Sequence, residues 1–201
     1  MSYRIIAAAA CVLLLGGCQQ AGDRSDGTVG PAGPSPIAVT STEALPFHSE
    51  VVWEFEQIPI PAGHCTQAIP DEFSYLWFSR IWGTATSTHL GTGPYEIDLC
   101  LYGTLTNPEG APPDNGIPMG WYAERQVWTA ANGDELKATG GLIGFTEPPG
   151  TPGFKFIESL TFLNGGTGRF VYAEGSGQGI VDPTAQTAVY DGTIRYGKKQ
   201  K

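Results

Sequence analysis

The feature that most constrains the fold of this chain is an alternation of apolar and polar residues with a period of two. It is cleanest in residues 95–102, where the odd-numbered positions are apolar or aromatic and the even-numbered ones include Glu96, Asp98 and Cys100. Residues 51–55 show the same alternation. Successive side chains of a strand point to opposite faces of a sheet, so this pattern predicts strands with one buried face.

The rest of the chain, beyond its N-terminal region, also favours strands and turns, and no stretch has the long apolar 3.6-residue period of a helix. The 28 glycines, 16 prolines and 11% aromatic residues are typical of many strands joined by turns. Asn132 and Gly133 form the best two-residue hairpin signal. Further strands are predicted at residues 75–88 (as one or two pieces), 121–131, 135–145, 154–163, 169–181 and 187–196.

About eight strands in up-and-down order pose an edge problem, because an open sheet leaves unpaired backbone groups at its two outer strands. Closing the sheet into a barrel removes those edges. We therefore predict an all-β fold, a single antiparallel eight-stranded β-barrel that is closed or nearly closed, with rim loops at residues 104–120 and 147–153. The interior of such a barrel holds packed side chains or one small ligand.

The N-terminus has the layout of a secretory signal peptide, with Arg4 followed by an apolar run that is too short to span a bilayer as a helix. The residues from Leu15 to Cys18 read LGGC and resemble the lipobox of bacterial lipoproteins, in which the cysteine is acylated and becomes the first residue. We expect a signal peptide at residues 1–17 and lipidation of Cys18 with palmitate-type acyl chains. The alternative is an ordinary cleaved signal with Cys18 lost or unmodified.

The predicted lipid anchor indicates that the protein is located in the bacterial cell envelope. Gln19 follows the cysteine where an aspartate usually retains a lipoprotein in the inner membrane, so the outer membrane is expected, facing the periplasm or the exterior. Residues 18–47 are rich in Gly, Ser, Thr and Pro and are interpreted as a flexible tether. Residues 48–201 are then the barrel domain.

The net charge argues against some classes of partner, and the cysteines of the exported domain predict a disulfide. The formal net charge of −9 becomes about −10 once Arg4 is removed with the signal, which argues against nucleic acid and against electrostatic binding to anionic lipid. Cys65 and Cys100 remain in the exported domain, where oxidising conditions favour a disulfide between them. The alternative is two separate buried thiols. Neither cysteine has metal-type spacing with a histidine, so no metal or cofactor site is predicted.

Three glycine-containing segments resemble, in this order, exported bacterial β proteins that are grouped with the allene oxide cyclase barrel-like domains, related in shape to dirigent proteins. The segments are residues 83–91 (GTATSTHLG), 129–136 (TAANGDEL), and 165–170 with 174–179 (GGTGRF and EGSGQG). The resemblance covers about residues 49–196 and implies a calycin-like barrel. It carries over no catalytic residue, because the polar active-site pattern of neither allene oxide cyclases nor dirigent proteins matches this chain residue by residue.

Candidate catalytic residues are weak in this sequence. His89, at a strand end before a turn, is a candidate general acid or base, with the alternative that it fixes the turn. Glu96 and Asp98 share one strand face and would be catalytic only if that face lined the barrel interior. The alternative is the wet outer face of the sheet. The tryptophans and neighbouring aromatics are expected to form the core or to line a pocket for an apolar molecule.

Three functions follow from these observations. The leading hypothesis is a non-enzymatic, membrane-anchored lipoprotein whose small barrel binds a hydrophobic ligand or a partner surface. The second is an isomerase or cyclase acting on an apolar small molecule inside the barrel, by analogy of fold alone. The third is a structural or interaction protein of the envelope that uses the loop at residues 104–120, with a protein partner that the sequence does not identify.

Overall fold

The alternating segments form the strands of one closed antiparallel barrel in the computed structural model, which describes residues 43–148 and 151–196. Each strand pairs with its neighbours in sequence, and the last strand pairs with the first. The prediction of an all-β, eight-stranded antiparallel barrel is confirmed. The strands are β1 (Leu45–Ile58), β2 (Ser74–Ser87), β3 (Gly91–Leu105), β4 (Gly116–Thr129), β5 (Glu135–Phe145), β6 (Phe156–Leu163), β7 (Ala173–Asp182) and β8 (Thr187–Tyr196).

Strands β1 and β8 close the barrel along a continuous antiparallel register. Leu45 pairs with Ile194, Ser49 with Tyr190, and the register continues to Val52. Closure gives every strand two partners, which satisfies the backbone groups that an open sheet would expose at its edges.

Some element bounds differ from those predicted. β4 begins at Gly116, inside the segment predicted as a rim loop, because residues 116–118 pair with β3 although Pro118 cannot donate to the ladder. β2 is one strand with a register irregularity between Tyr75 and Trp77. The segment before β7 contains a short 3-10 helix, Gly168–Phe170, where a strand was predicted from residue 169.

The two ends of the barrel differ in how they are filled. At one end, Phe47 of β1 packs edge-on against Trp128 and Phe162, and Phe170 of the 3-10 helix is fully buried beside them in the same core. We call this the closed end. The opposite end lies where the odd-numbered strands finish and the even-numbered strands begin, and the interior is less completely filled there. We call it the open end.

A smaller hydrophobic cluster lies on the outside of the barrel under the connection between β1 and β2. It is built around a disulfide between Cys65 and Cys100, with a Cα–Cα distance of 5.5 Å. Phe78 and Tyr122 pack in the same cluster. The predicted disulfide is confirmed, and it fixes the β1–β2 connection to the outer face of β3.

Candidate functional site

The barrel encloses an apolar cavity near its open end. Its volume is about 260 Å³, and every strand except β5 contributes to its wall. Trp53, Trp77 and Trp121 are buried wall residues, while Phe55 is 44% exposed. Each of these side chains points inward from its strand. The residues that line the cavity are therefore the inward half of the same alternating pattern that forms the sheet.

A polar cluster of four buried side chains is set into this apolar interior. It consists of Tyr95 on β3, Gln126 on β4, Glu158 on β6 and Tyr190 on β8, none more than 3% exposed. Gln126 Nε2 donates to the Tyr95 hydroxyl oxygen at 2.9 Å, and the two tyrosine hydroxyl oxygens are 2.9 Å apart. Tyr190 and Gln126 also hydrogen-bond the Glu158 carboxyl group. Tyr95, Glu158 and Tyr190 line the cavity itself.

Burial changes the protonation of this cluster. Desolvation raises the pKa of Glu158 to about 7, and the hydrogen bonds from Tyr190 and Gln126 oppose that rise. Burial also raises the pKa of Tyr95 and of Tyr190 well above their usual range, and the neighbouring Glu158 adds to both effects. The tyrosines therefore stay neutral near pH 7, where Glu158 passes between its neutral and ionised forms.

Two buried polar atoms beside the cavity have no hydrogen-bond partner among the described residues. One is Glu158 Oε1 and the other is Trp77 Nε1, and both residues line the cavity. An unpaired buried polar group costs about 1–3 kcal/mol. The cavity wall therefore holds an oxygen and an indole N–H with unused hydrogen-bonding capacity.

The local sequence explains how Glu158 comes to face inward. Phe156, Glu158, Leu160 and Phe162 have the same parity on β6, so one carboxylate shares the inner face with three apolar residues. Glu158 pairs with Gly179 on β7, which has no side chain to occupy the space beside it.

His89, predicted as a candidate acid or base, lies in the turn between β2 and β3 with a φ of 67°. Its Nε2 donates to the Pro46 carbonyl oxygen at 2.8 Å, and its own carbonyl oxygen accepts from the Arg169 guanidinium. The turn belongs to the closed end, and His89 is not among the residues that line the cavity. Its contacts are those of a residue that fixes a turn to its neighbours.

Glu96 and Asp98 lie on the outer face of β3. Both are next to Arg125 of β4, whose guanidinium nitrogens are 2.8 Å from Glu96 Oε2 and 3.8 Å from Asp98 Oδ2. Glu96 and Arg125 are about half exposed. The structure therefore brings these two carboxylates together with a cation and not with the cavity.

Cys65 and Cys100 lie close to Glu124, which gives the outer cluster three atoms of metal-ligand type. The two sulfurs are joined in the disulfide, and a metal would need them as thiolates. Glu124 instead accepts from the Cys65 backbone N–H and lies 2.6 Å from His64 Nδ1. These contacts hold the β1–β2 connection in place.

The predicted lipidation site, Cys18, falls outside the described residues, as do the signal peptide and most of the tether. Strand β1 begins at Leu45, near the end of the predicted tether. Among the described residues, no helix has the length and apolar character needed to cross a bilayer.

Comparison with known proteins found no similar protein. No protein-family model, curated protein or solved structure matches the chain significantly. The resemblance to allene oxide cyclase barrel-like domains and to bacterial lipoproteins stays a prediction.

Sequence reasoning missed the polar cluster. Its members come from four strands and are far apart in the chain, with Tyr95 and Tyr190 separated by 95 positions. One signal was available, because a glutamate stands at an inward position between Phe156 and Leu160. Charged residues are almost never fully buried without a partner, so that position marks a candidate site.

Proposed function

We propose that this protein binds a small apolar molecule inside its barrel. The observation that carries the proposal is the apolar cavity of about 260 Å³ with aromatic walls. An apolar protein cavity of about 150 Å³ holds benzene, so a volume of this size suits a molecule of about ten non-hydrogen atoms, such as two fused rings. Ligand sites are generally concave and apolar, with a few polar groups that orient the ligand.

Equilibrium dialysis of the purified protein against naphthalene tests this proposal. We expect saturable binding of one molecule per chain. Leu101→Trp places a larger side chain in the cavity wall and should abolish binding. Leu105→Trp is the matched control, because Leu105 is on the same strand but is exposed and does not line the cavity. Absence of saturable binding to the wild-type protein, or equal binding by both variants, contradicts the proposal.

We also propose a cellular location: the protein is a lipoprotein of the bacterial envelope, held to a bilayer by acyl chains on Cys18. The support is the LGGC sequence ending at Cys18 after a short apolar run. Two or more acyl chains give stable anchoring, whereas one gives only marginal binding. Expression in a bacterium with labelled palmitate should label the wild-type protein and leave a Cys18→Ser variant unlabelled. An unlabelled wild-type protein contradicts this assignment.

A second candidate function is acid–base isomerisation of an apolar molecule in the cavity. It is favoured by the position of Glu158 in the wall, because a carboxyl group that titrates near pH 7 can both accept and return a proton. Deuterium exchange at the carbon next to the carbonyl of 1-tetralone, followed in D₂O, tests this chemistry. Exchange that the wild-type protein accelerates and Glu158→Gln does not is expected, and equal rates reject the candidate.

A further inference from the structure

When Glu158 is ionised, the hydrogen bonds of the polar cluster have one consistent assignment of donors. Gln126 has two amide N–H groups, which donate to Tyr95 and to Glu158, since an amide nitrogen only donates. Tyr190 donates its single proton to Glu158, so Tyr95 must donate to the Tyr190 oxygen. Every proton of these groups then has an acceptor.

This assignment leaves one carboxyl oxygen of Glu158, Oε1, whose hydrogen bonding depends on protonation. Oε1 of Glu158 has no partner among the described residues, so both donated hydrogen bonds reach Oε2. When the carboxyl group is neutral and Gln126 and Tyr190 still donate to Oε2, its proton is on Oε1, and Oε1 becomes a donor. When the group is ionised, Oε1 becomes an acceptor. In both states it has capacity for one more hydrogen bond in a wall that is otherwise mostly apolar.

We propose that the molecule bound in the cavity is apolar with a single neutral oxygen function, and that this oxygen hydrogen-bonds Glu158 Oε1. The inference rests on the proposed binding function and names the class of ligand. The indole N–H of Trp77, also in the wall and without an acceptor among the described residues, is a second group able to donate to such an oxygen. A carboxylate ligand is excluded by repulsion once Glu158 ionises.

Hydroxyl and carbonyl ligands should respond differently to pH. A hydroxyl both donates and accepts, so it pairs with Glu158 in either protonation state, whereas a ketone only accepts and needs the neutral form. Burial raises the pKa of Glu158 to about 7, so a ketone should lose its hydrogen bond as pH rises through that value. The titratable groups that face Glu158 from the neighbouring strands are Tyr95 of β3 and Tyr190 of β8, and burial keeps both neutral over this range.

The test compares naphthalene, 2-naphthol and 1-tetralone, which share a two-ring frame and differ in the oxygen. Affinities are measured by equilibrium dialysis at about pH 5.5 and about pH 8.5 for the wild-type protein, Glu158→Leu and Glu158→Gln. Loss of one hydrogen bond to a buried group is worth about tenfold in affinity. We therefore expect the ratio of 2-naphthol to naphthalene affinity to fall about tenfold in Glu158→Leu.

Glu158→Gln keeps both a donor and an acceptor at this position and removes the titration. It should preserve the preference for both oxygen-containing probes and abolish the pH dependence of 1-tetralone binding. Wild-type protein that binds naphthalene but has the same affinity ratios and pH response as both variants overturns this inference while leaving the binding function intact. Failure of the wild-type protein to bind any of the three overturns the binding function itself. If Glu158→Leu does not fold, the pH response of Glu158→Gln decides.

Discussion

Glu158 and Gly179 face each other across strands β6 and β7, and the absence of a side chain at Gly179 makes room for the carboxylate. A Cβ atom built on Gly179 would lie 2.8 Å from Glu158 Cγ and 2.6 Å from Tyr190 Cε1. Both distances are shorter than carbon–carbon contact allows, so two members of the polar cluster depend on a glycine at this position.

Gly179→Ala should therefore destabilise the barrel by about 1–3 kcal/mol through overpacking. Urea unfolding measures the change. Gly144→Ala is the control, because a Cβ at Gly144 on β5 meets no atom within 4 Å. It should change the free energy of unfolding by less than about 0.5 kcal/mol. Equal effects of the two substitutions would show that the space beside Glu158 is not limiting.

The stability of the protein should fall as pH rises toward and through 7. The pKa of Glu158 is raised from an ordinary 4.5 to about 7 in the folded state, so between these values the folded protein binds more protons than the unfolded chain. Stability then decreases with increasing pH, by about 3 kcal/mol in total for this group. Urea unfolding at about pH 5 and about pH 9 measures the loss.

Glu158→Gln is the control for this decline. His48, whose pKa is raised mainly by its hydrogen bond to Asp191, contributes stability that is also lost as pH rises, but it is present in both proteins and cancels in the comparison. The variant should lack the part of the decline due to Glu158. A wild-type protein with the same pH profile as Glu158→Gln would mean that the carboxyl group titrates as it does in the unfolded chain.

Reduction of the Cys65–Cys100 disulfide should destabilise the protein by about 3–4 kcal/mol, as the chain-entropy model gives for a sequence separation of 35. Unfolding curves with and without dithiothreitol measure the loss. A Cys65→Ala, Cys100→Ala double variant should unfold near the reduced wild-type protein and be insensitive to the reductant. An unchanged midpoint on reduction of the wild-type protein contradicts this estimate.

Ser49→Ala should cost about 1–3 kcal/mol, because it removes one acceptor from two buried donors. The Ser87 hydroxyl donates to Ser49 Oγ at 2.7 Å and the Trp128 indole N–H at 3.1 Å. Thr86→Ala is the matched control, since its hydroxyl pair with Thr92 is exposed, and it should cost less than about 1 kcal/mol. Thermal or urea unfolding distinguishes the two, and similar losses would refute the special role of Ser49.

The barrel could be predicted from the sequence because the signals for its strands and turns are local. Alternation in residues 95–102 and the Asn132–Gly133 turn identify strands and reversals directly, and consecutive pairing leaves closure as the remaining step. Bounds were less accurate where long-range pairing overrides a local signal, as at Pro118 in β4.

The site could not be predicted from the sequence, because its residues are brought together by contacts between strands that are far apart in the chain. Alternation shows that Glu158 faces inward, but not that Tyr95, Gln126 and Tyr190 surround it, since their contacts depend on the stagger of four strands. The residue type of His89 is typical of acid–base catalysis, whereas its left-handed backbone and its hydrogen bond to the Pro46 carbonyl depend on a turn that the sequence does not specify.

The pairing of Leu45 with Ile194 places the first and last strands of the barrel side by side, about 4.8 Å apart. A circularly permuted chain, joined near these residues and opened in the exposed Asn132–Gly133 turn, would contain the same eight strands with the same neighbours. We therefore expect the permuted chain to fold to the same barrel although β5 would be synthesised first.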